Sequence, residues 1–270
     1  MQIITLDFET FYDTGFSLTN LTTEEYIKSP RFQVIGVAIK VNEGKTVWYE
    51  GEQVEPALKE IDWANTMLLC HNTIFDGAIL AWHYNLTPKV YLDTLCMARA
   101  IHGVDAGGSL AKLVVRYGLG EKGTEVLQAK GKRLEDFQDH ELRQYGEYCR
   151  NDTELTYKLF NALSKDFPFS ELELIDITIR MYTEPTLEVD DALLIERLEE
   201  VRAEKVKLLG ALKTKLSCED EECVRKKLAS NPQFAELLTD LGVPVPMKES
   251  PATGKQTFAL AKTDQGFIDL

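Results

Sequence analysis

The chain has 270 residues, a net charge of −14 and 44% apolar residues. That is enough for one large domain, or an ordinary domain with an appendage, and it excludes collagen-like and generally disordered classes. The acidic balance argues against a simple basic nucleic-acid binder, and no apolar stretch approaches the roughly 20 residues of a membrane span.

In chain order, strand signals sit at 2–7, 33–41, 45–50 and 66–71, with a short one near 89–92. The early strands follow one another as a meander, joined by turns such as NEG at 42–44. Helices then dominate, at about 75–84, 93–102, 109–117 and 139–164. Strands first and helices after predict an α/β fold, a mixed sheet covered by helices on its faces. The sequence DFPF at 166–169 breaks the long helix, and the domain boundary is placed near 168. Residues 169–270 are expected to form a smaller, mainly helical segment, strongly charged over 170–216 and Pro-rich toward its end. The N-terminus lacks a basic-then-apolar signal, so the expected location is cytoplasmic. Five cysteines (Cys70, Cys96, Cys149, Cys218 and Cys223) are scattered without a His to complete a zinc site, and reduced thiols are expected.

Four acids break the apolar pattern. Asp7 and Glu9 lie two apart in IITLDFETF, so a strand would point both to one face, about 7 Å apart. Asp76 follows the apolar strand LLCHN and shares a helix face with Ile79, Leu80 and His83. Asp152 interrupts the stripe Leu142, Tyr145, Tyr148/Cys149, Leu155, Leu159 and Leu163, where an unpaired carboxylate would cost several kcal/mol or carry a raised pKa. Any one of these alone is best read as a cap or the partner of a buried Arg. Four together point to a pair of divalent cations. Oxygen-only ligands suit Mg²⁺ or Mn²⁺, and two such ions assist an in-line phosphoryl displacement. Tyr148 lies one helical turn before Asp152, where its phenol either orients a water or simply fills the core.

Charge is unevenly spread. Residues 171–222 carry 15 acids and 7 bases, while 109–133 carry 6 bases and 2 acids. The second segment, with Lys112, Lys122, Lys130, Lys132 and Arg133, either guides phosphates or is a solvated loop, and charge alone favours the loop.

DFE at 7–9, HNTIFD at 71–76 and YCRND at 148–152 resemble, in order and spacing, the three exonuclease motifs of the DEDD superfamily. The tyrosine in the third is similar to the DEDDy branch, which includes the 3′–5′ proofreading domains of family A DNA polymerases. DTLCMARAIHG at 93–103 and GSLAKLVVRYGLG at 108–120 resemble segments between the second and third motifs. The opening LDFETFYDTG looks phage-like, implying a bacterial host or a bacterium. The resemblance covers about 1–165 and implies a ribonuclease H-like fold and 3′–5′ exonuclease activity on DNA. It further implies that Asp7, Glu9 and Asp152 bind one metal, that Asp7 bridges to a second, and that Asp76 holds the second through waters. Tyr148 with Glu9 would position the attacking water, and Asn72 and Thr10 would help place the terminal nucleotide. Phe11, Tyr12 and Phe16 are candidates for base stacking, with core packing an equal alternative.

The tail, from SNPQFAELL onward, resembles more loosely the start of a polymerase thumb, without palm signatures. The chain is therefore expected to be either an N-terminal fragment with a polymerase domain in cis or a protein reduced to its exonuclease. The expected substrate is single-stranded DNA or a frayed primer 3′ end. Two rival readings stand beside this: an RNA-directed DEDDy exoribonuclease, and a non-catalytic nucleic-acid-binding module on the same fold.

Overall fold

The structure, a computed structural model of the full chain, describes residues 1–123 and 129–270. Five strands form one mixed sheet: β1 (Gln2–Thr10), β2 (Val34–Val41), β3 (Val47–Glu50), β4 (Thr66–Cys70) and β5 (Val90–Asp93). Their order is β3-β2-β1-β4-β5. The first three form an antiparallel meander, β4 runs parallel to β1, and β5 runs parallel to β4. The longest strand, β1, is central, with one antiparallel and one parallel neighbour. It extends past the expected end at residue 7, because Glu9 and Thr10 still pair with β2 across a register shift.

Among the described residues, seven α-helices accompany this sheet: α1 (Thr23–Ile27), α2 (Val54–Lys59), α3 (Thr73–Ala78), α4 (Thr94–His102), α5 (Leu110–Arg116), α6 (Asp139–Leu163) and α7 (Phe169–Thr183). The backbone after α3 continues as a π-helical turn over Ile79–His83. Helices α1 and α2 were not predicted, since five or six residues are too few to display a 3.6-residue period. Side chains of β1 alternate as the strand geometry requires. Ile4, Leu6 and Phe8 join Leu58, Leu80 and Ile179 in one core cluster. On the other face, α6 packs over β1 and β2, and its Leu155, Leu159 and Leu163 meet Leu69, Leu92 and Leu113.

Helix α7 closes the outer edge of the sheet. Its Asp176 accepts a hydrogen bond from the Tyr91 amide of β5 (2.7 Å), and Arg180 bridges Asp176 and Glu184 while donating to the Lys89 carbonyl. Ile179 is fully buried. These ties place α7 with the sheet, so the first compact unit runs Met1–Leu187 and the second Glu188–Leu270, beyond the boundary expected near 168. The DFPF stretch follows α6 and leads into α7, which stays within the first compact unit.

The second unit contains α8 (Asp191–Lys215), α9 (Glu221–Ala229), α10 (Asn231–Asp240), the hairpin β6 (Met247–Glu249) and β7 (Gln256–Phe258), and α11 (Gln265–Ile268). Its small core gathers Leu209, Cys218 and Val224. Cys218 and Cys223 are joined as a disulfide, which corrects the expectation of reduced thiols throughout. Asp220, the N-cap of α9, accepts from the Cys223 amide and turns the chain so that the two Cα atoms stand 5.7 Å apart. The other three cysteines are free.

Trp48 of β3 is the wedge that sets the distance between α6 and the sheet. A Cβ on Gly36 of β2 would lie 2.3 Å from its ring, and a Cβ on Gly146 of α6 would lie 2.7 Å from it. Neither neighbour has room for a methyl group. Gly36→Ala is therefore expected to destabilise the chain by about 1–3 kcal/mol through overpacking. Urea denaturation would show a lower midpoint at unchanged slope; an unchanged midpoint would mean the indole has space to move.

Candidate active site

Three elements deliver the four acids. Strand β1 places Asp7 and Glu9 on the face covered by α6, while Phe8 points the other way and stacks on Tyr84 (centroids 5.9 Å apart). Helix α3 supplies Asp76, whose Oδ1 accepts the Phe8 amide at 3.0 Å, and α6 supplies Asp152. Asp76 and Asp152 are each only 3% exposed, and Glu9 is 9% exposed.

The charges act on one another. Burial, then the charge of Asp152, lifts the Asp7 carboxyl from its ordinary 3.8 to about 7, with Lys122 opposing. Glu9 is pushed well up by burial and by Asp7, and Asp76 likewise. Asp7 retains some solvent exposure but is densely enclosed by heavy atoms. Burial, followed by the Asp152 and Glu9 charges, also raises the Tyr148 phenol.

A cation of the chain answers this cluster. The Lys122 ammonium lies 2.5 Å from Asp152 Oδ2 and 5.2 Å from the centre of the Tyr148 ring. A cavity of about 400 Å³ opens beside it, lined by Lys122, Gln144, Tyr148 and Asn151 among others. The carboxylate oxygens of Asp7 and Glu9, a donor type that suits hard divalent cations, lie within 4.8 Å of each other and of the Cys149 sulfur. Cys149 is a neutral neighbour here, because burial and the carboxylates raise its thiol and its Sγ donates to the Asp7 carbonyl (3.1 Å).

Other expected residues fare unevenly. Asn72 is exposed at the start of α3 in a left-handed conformation (φ 71°), next to the cluster in sequence. The Thr10 hydroxyl pairs with the Tyr26 hydroxyl at 2.9 Å and is 9% exposed, so its polar atom is already engaged. Phe11 and Phe16 are 5% and 2% exposed, stack on each other and belong to the core. Tyr12 is half-buried. Lys112 is exposed on α5, Lys132 pairs with Glu141, and Arg133 lies over Phe11. Residues 124–128 of the basic segment lie outside the described residues.

Two residues that build the site were not singled out from sequence. The Tyr145 hydroxyl donates to Glu9 Oε2. Asp93, 1% exposed, accepts from the Asn72 and Thr73 amides (3.1 and 3.0 Å) and from the Leu95 and Cys96 amides. It thereby clamps the start of α3 to the start of α4 and fixes the direction in which Asp76 points. A strand-ending Asp before a helix was a legible N-cap signal; its second grip, on α3, was not.

A mixed five-stranded sheet with this order, covered by helices and carrying acids on its central strand, is the ribonuclease H-like architecture of nucleases. Residues 22–168, more than half of the chain, match the family described as 3′–5′ exonuclease, and the chain belongs to that family. The matched stretch holds Asp76, Tyr148 and Asp152, whereas Asp7 and Glu9 precede it and join them through the place of β1 in the sheet. Enzymes of this family are generally dependent on divalent metals. Among solved structures, Trypanosoma brucei RNase D is similar at 17% identity, covering 70% of this chain and 69% of that one with a TM-score of 0.52. The same enzyme in complex with RNA U12 is 18% identical over 70% of this chain and 67% of that one, with a TM-score of 0.52. The POL domain of Pol1 from M. smegmatis, in complex with DNA primer-template and dNTP, is similar at 16% identity and a TM-score of 0.50. That match covers 98% of this chain, which spans 43% of that polymerase chain. These likenesses concern the fold. No curated protein sequence matches the chain.

The raised carboxyls give a signed pH dependence. A carboxyl whose folded pKa lies above its unfolded value binds more protons in the fold, so stability falls as pH rises between the two values. For Asp7 that window runs from 3.8 to about 7, and Glu9 and Asp76 act in the same direction. In chelator the melting temperature should drop across this window, and a saturating divalent cation should remove the drop. Parallel curves with and without the cation would contradict it.

Proposed function

We propose that this chain is the proofreading portion of a family A DNA polymerase, removing nucleotides one at a time from the 3′ end of DNA. The observation that carries this reading is that Asp7 and Glu9 of β1 stand within ligand distance of each other, with Asp76 of α3 bonded to the Phe8 amide between them and Asp152 of α6 paired with Lys122. Asp7, Glu9 and Asp152 would hold one Mg²⁺ or Mn²⁺, and Asp7 with Asp76 a second. Bound there, the ions supply charge neutralisation for the attacking and leaving oxygens. The protein's own part is positioning. Tyr148, with Glu9, orients the water that attacks phosphorus as the bond to the 3′ oxygen breaks. Asn72 and Thr10 border the place of the terminal nucleotide, Thr10 through the backbone because its hydroxyl is held by Tyr26. Lys122, which pairs with Asp152 here, would be free to meet a phosphate once a cation held that carboxylate.

DNA is favoured over RNA because the likeness to the DNA-bound polymerase extends over both units, whereas that to RNase D covers 70% of the chain. An RNA-directed exonuclease is the second reading, favoured by the likeness to an RNase D whose structure holds RNA U12. The proposed setting is the cytoplasm of a bacterium, or of a phage's bacterial host. The proposed partners are single-stranded DNA or a frayed primer end, and a polymerase domain in cis.

The test uses 5′-labelled single-stranded DNA and RNA of one sequence with Mg²⁺, resolved on a gel. A descending ladder on DNA, weaker on RNA, is expected; a ladder on RNA alone gives the second reading, and a single internal cut removes both. In the same assay, Tyr148→Phe should lower the single-turnover rate by about 10²–10³, the usual cost of losing one positioning group. A rate close to wild type would return Tyr148 to a packing role.

A further inference from the structure

We propose that Tyr145 is the positioning residue for Glu9, holding its carboxylate in the orientation a divalent cation needs. This rests on the metal-dependent reading above and goes beyond it, since Tyr145 lies outside the three acid-bearing motifs and follows from geometry alone.

Tyr145 and Tyr148 stand one helical turn apart on the buried side of α6 and serve different acids. Tyr148 leans on Asp152 and Lys122. Tyr145 is 3% exposed and donates its hydroxyl to Glu9 Oε2. The phenol has little freedom to do anything else. Its ring stacks on Phe137 (5.6 Å, planes 12° apart), is tilted against Trp48 (6.3 Å) and stacks on Tyr148 (6.4 Å). Trp48 is itself fixed, wedged between Gly36 and Gly146 with its indole nitrogen donating to Glu50. A rigid aromatic wall thus aims one hydroxyl at one carboxylate oxygen.

Glu9 needs such a partner more than Asp7 does. Its side chain is one methylene longer, and it sits at the last regular pair of β1 before the register shift toward Thr10. With Oε2 engaged, the terminal rotation is set and Oε1 is the oxygen left for a cation. Hydrogen bonds to a ligating carboxylate act in this way in metal sites generally, and their removal costs about 10–100-fold in metal affinity or activity.

The test is a double-mutant cycle on the full chain, with Mn²⁺ as the probe and free Mn²⁺ read by electron paramagnetic resonance at one pH. Wild type, Tyr145→Phe, Glu9→Gln and the double variant are compared, each first checked for cooperative unfolding. Tyr145→Phe should weaken Mn²⁺ binding about tenfold in the wild-type background and by less than about twofold in the Glu9→Gln background. Equal weakening in both backgrounds would mean that the ring acts through packing, and no weakening in either would mean that it only fills space; each overturns the proposal. A wild-type chain that binds no Mn²⁺ overturns it together with the metal-dependent reading. A chain that binds Mn²⁺ but hydrolyses neither DNA nor RNA defeats the exonuclease reading alone, and the cycle still decides on Tyr145.

Discussion

Like charges enclosed in a low-dielectric interior repel, and the architecture of this chain is arranged so that four of them nevertheless meet. Asp7, Glu9, Asp76 and Asp152 come from three elements that hydrophobic packing alone would bring together, and packing would favour apolar residues at each position. Two compensations are visible. Individual acids are held by donors, the Phe8 amide on Asp76 and the Tyr145 hydroxyl on Glu9. The cluster as a whole is offset by the Lys122 ammonium on Asp152. Lys122 lies on a loop and sets one positive charge against the four acids.

The remainder of the first unit can be understood as support for that meeting. Trp48 fixes the spacing between α6 and the meander, so Tyr145, Tyr148 and Asp152 keep their height above β1. Lys40, 5% exposed, pairs with Glu154 on the solvent side of the same helix and fastens α6 to β2. Asp93 anchors α3 from below by accepting amides from two helix starts. On the far edge, α7 satisfies an outward-facing amide of β5, which otherwise would offer an open strand for pairing. The site is therefore set on strands and packed helices rather than on loops, the arrangement that holds reacting groups most closely.

Much of this was legible in the sequence, and the reason is periodicity. The alternation in IITLDFETF placed Asp7 and Glu9 on one face and Phe8 on the other, as observed. The stripe of α6 read Asp152 as an acid at an apolar position, and it is buried. What stayed hidden depends on distances that no local pattern encodes. Tyr145 counts as apolar in a stripe, so the bond its hydroxyl makes across 136 residues left no trace. Phe11 and Phe16 follow the acids closely enough to suggest base stacking, yet the loop folds them inward against Tyr26. The Cys218–Cys223 link depends on the turn at Asp220, and the docking of α7 depends on one aspartate reaching a strand amide far back in the chain.

On the metal-dependent reading proposed above, the four acids are a cation site first and a set of charges tolerated by the fold second. Crystals grown without metal and soaked in Mn²⁺ would test it through the anomalous signal of manganese. Anomalous peaks are expected in contact with the carboxylates of Asp7, Glu9 and Asp152, with the Lys122 side chain displaced from Asp152. Manganese absent from these carboxylates, with Lys122 still paired to Asp152 at saturating metal, would contradict it.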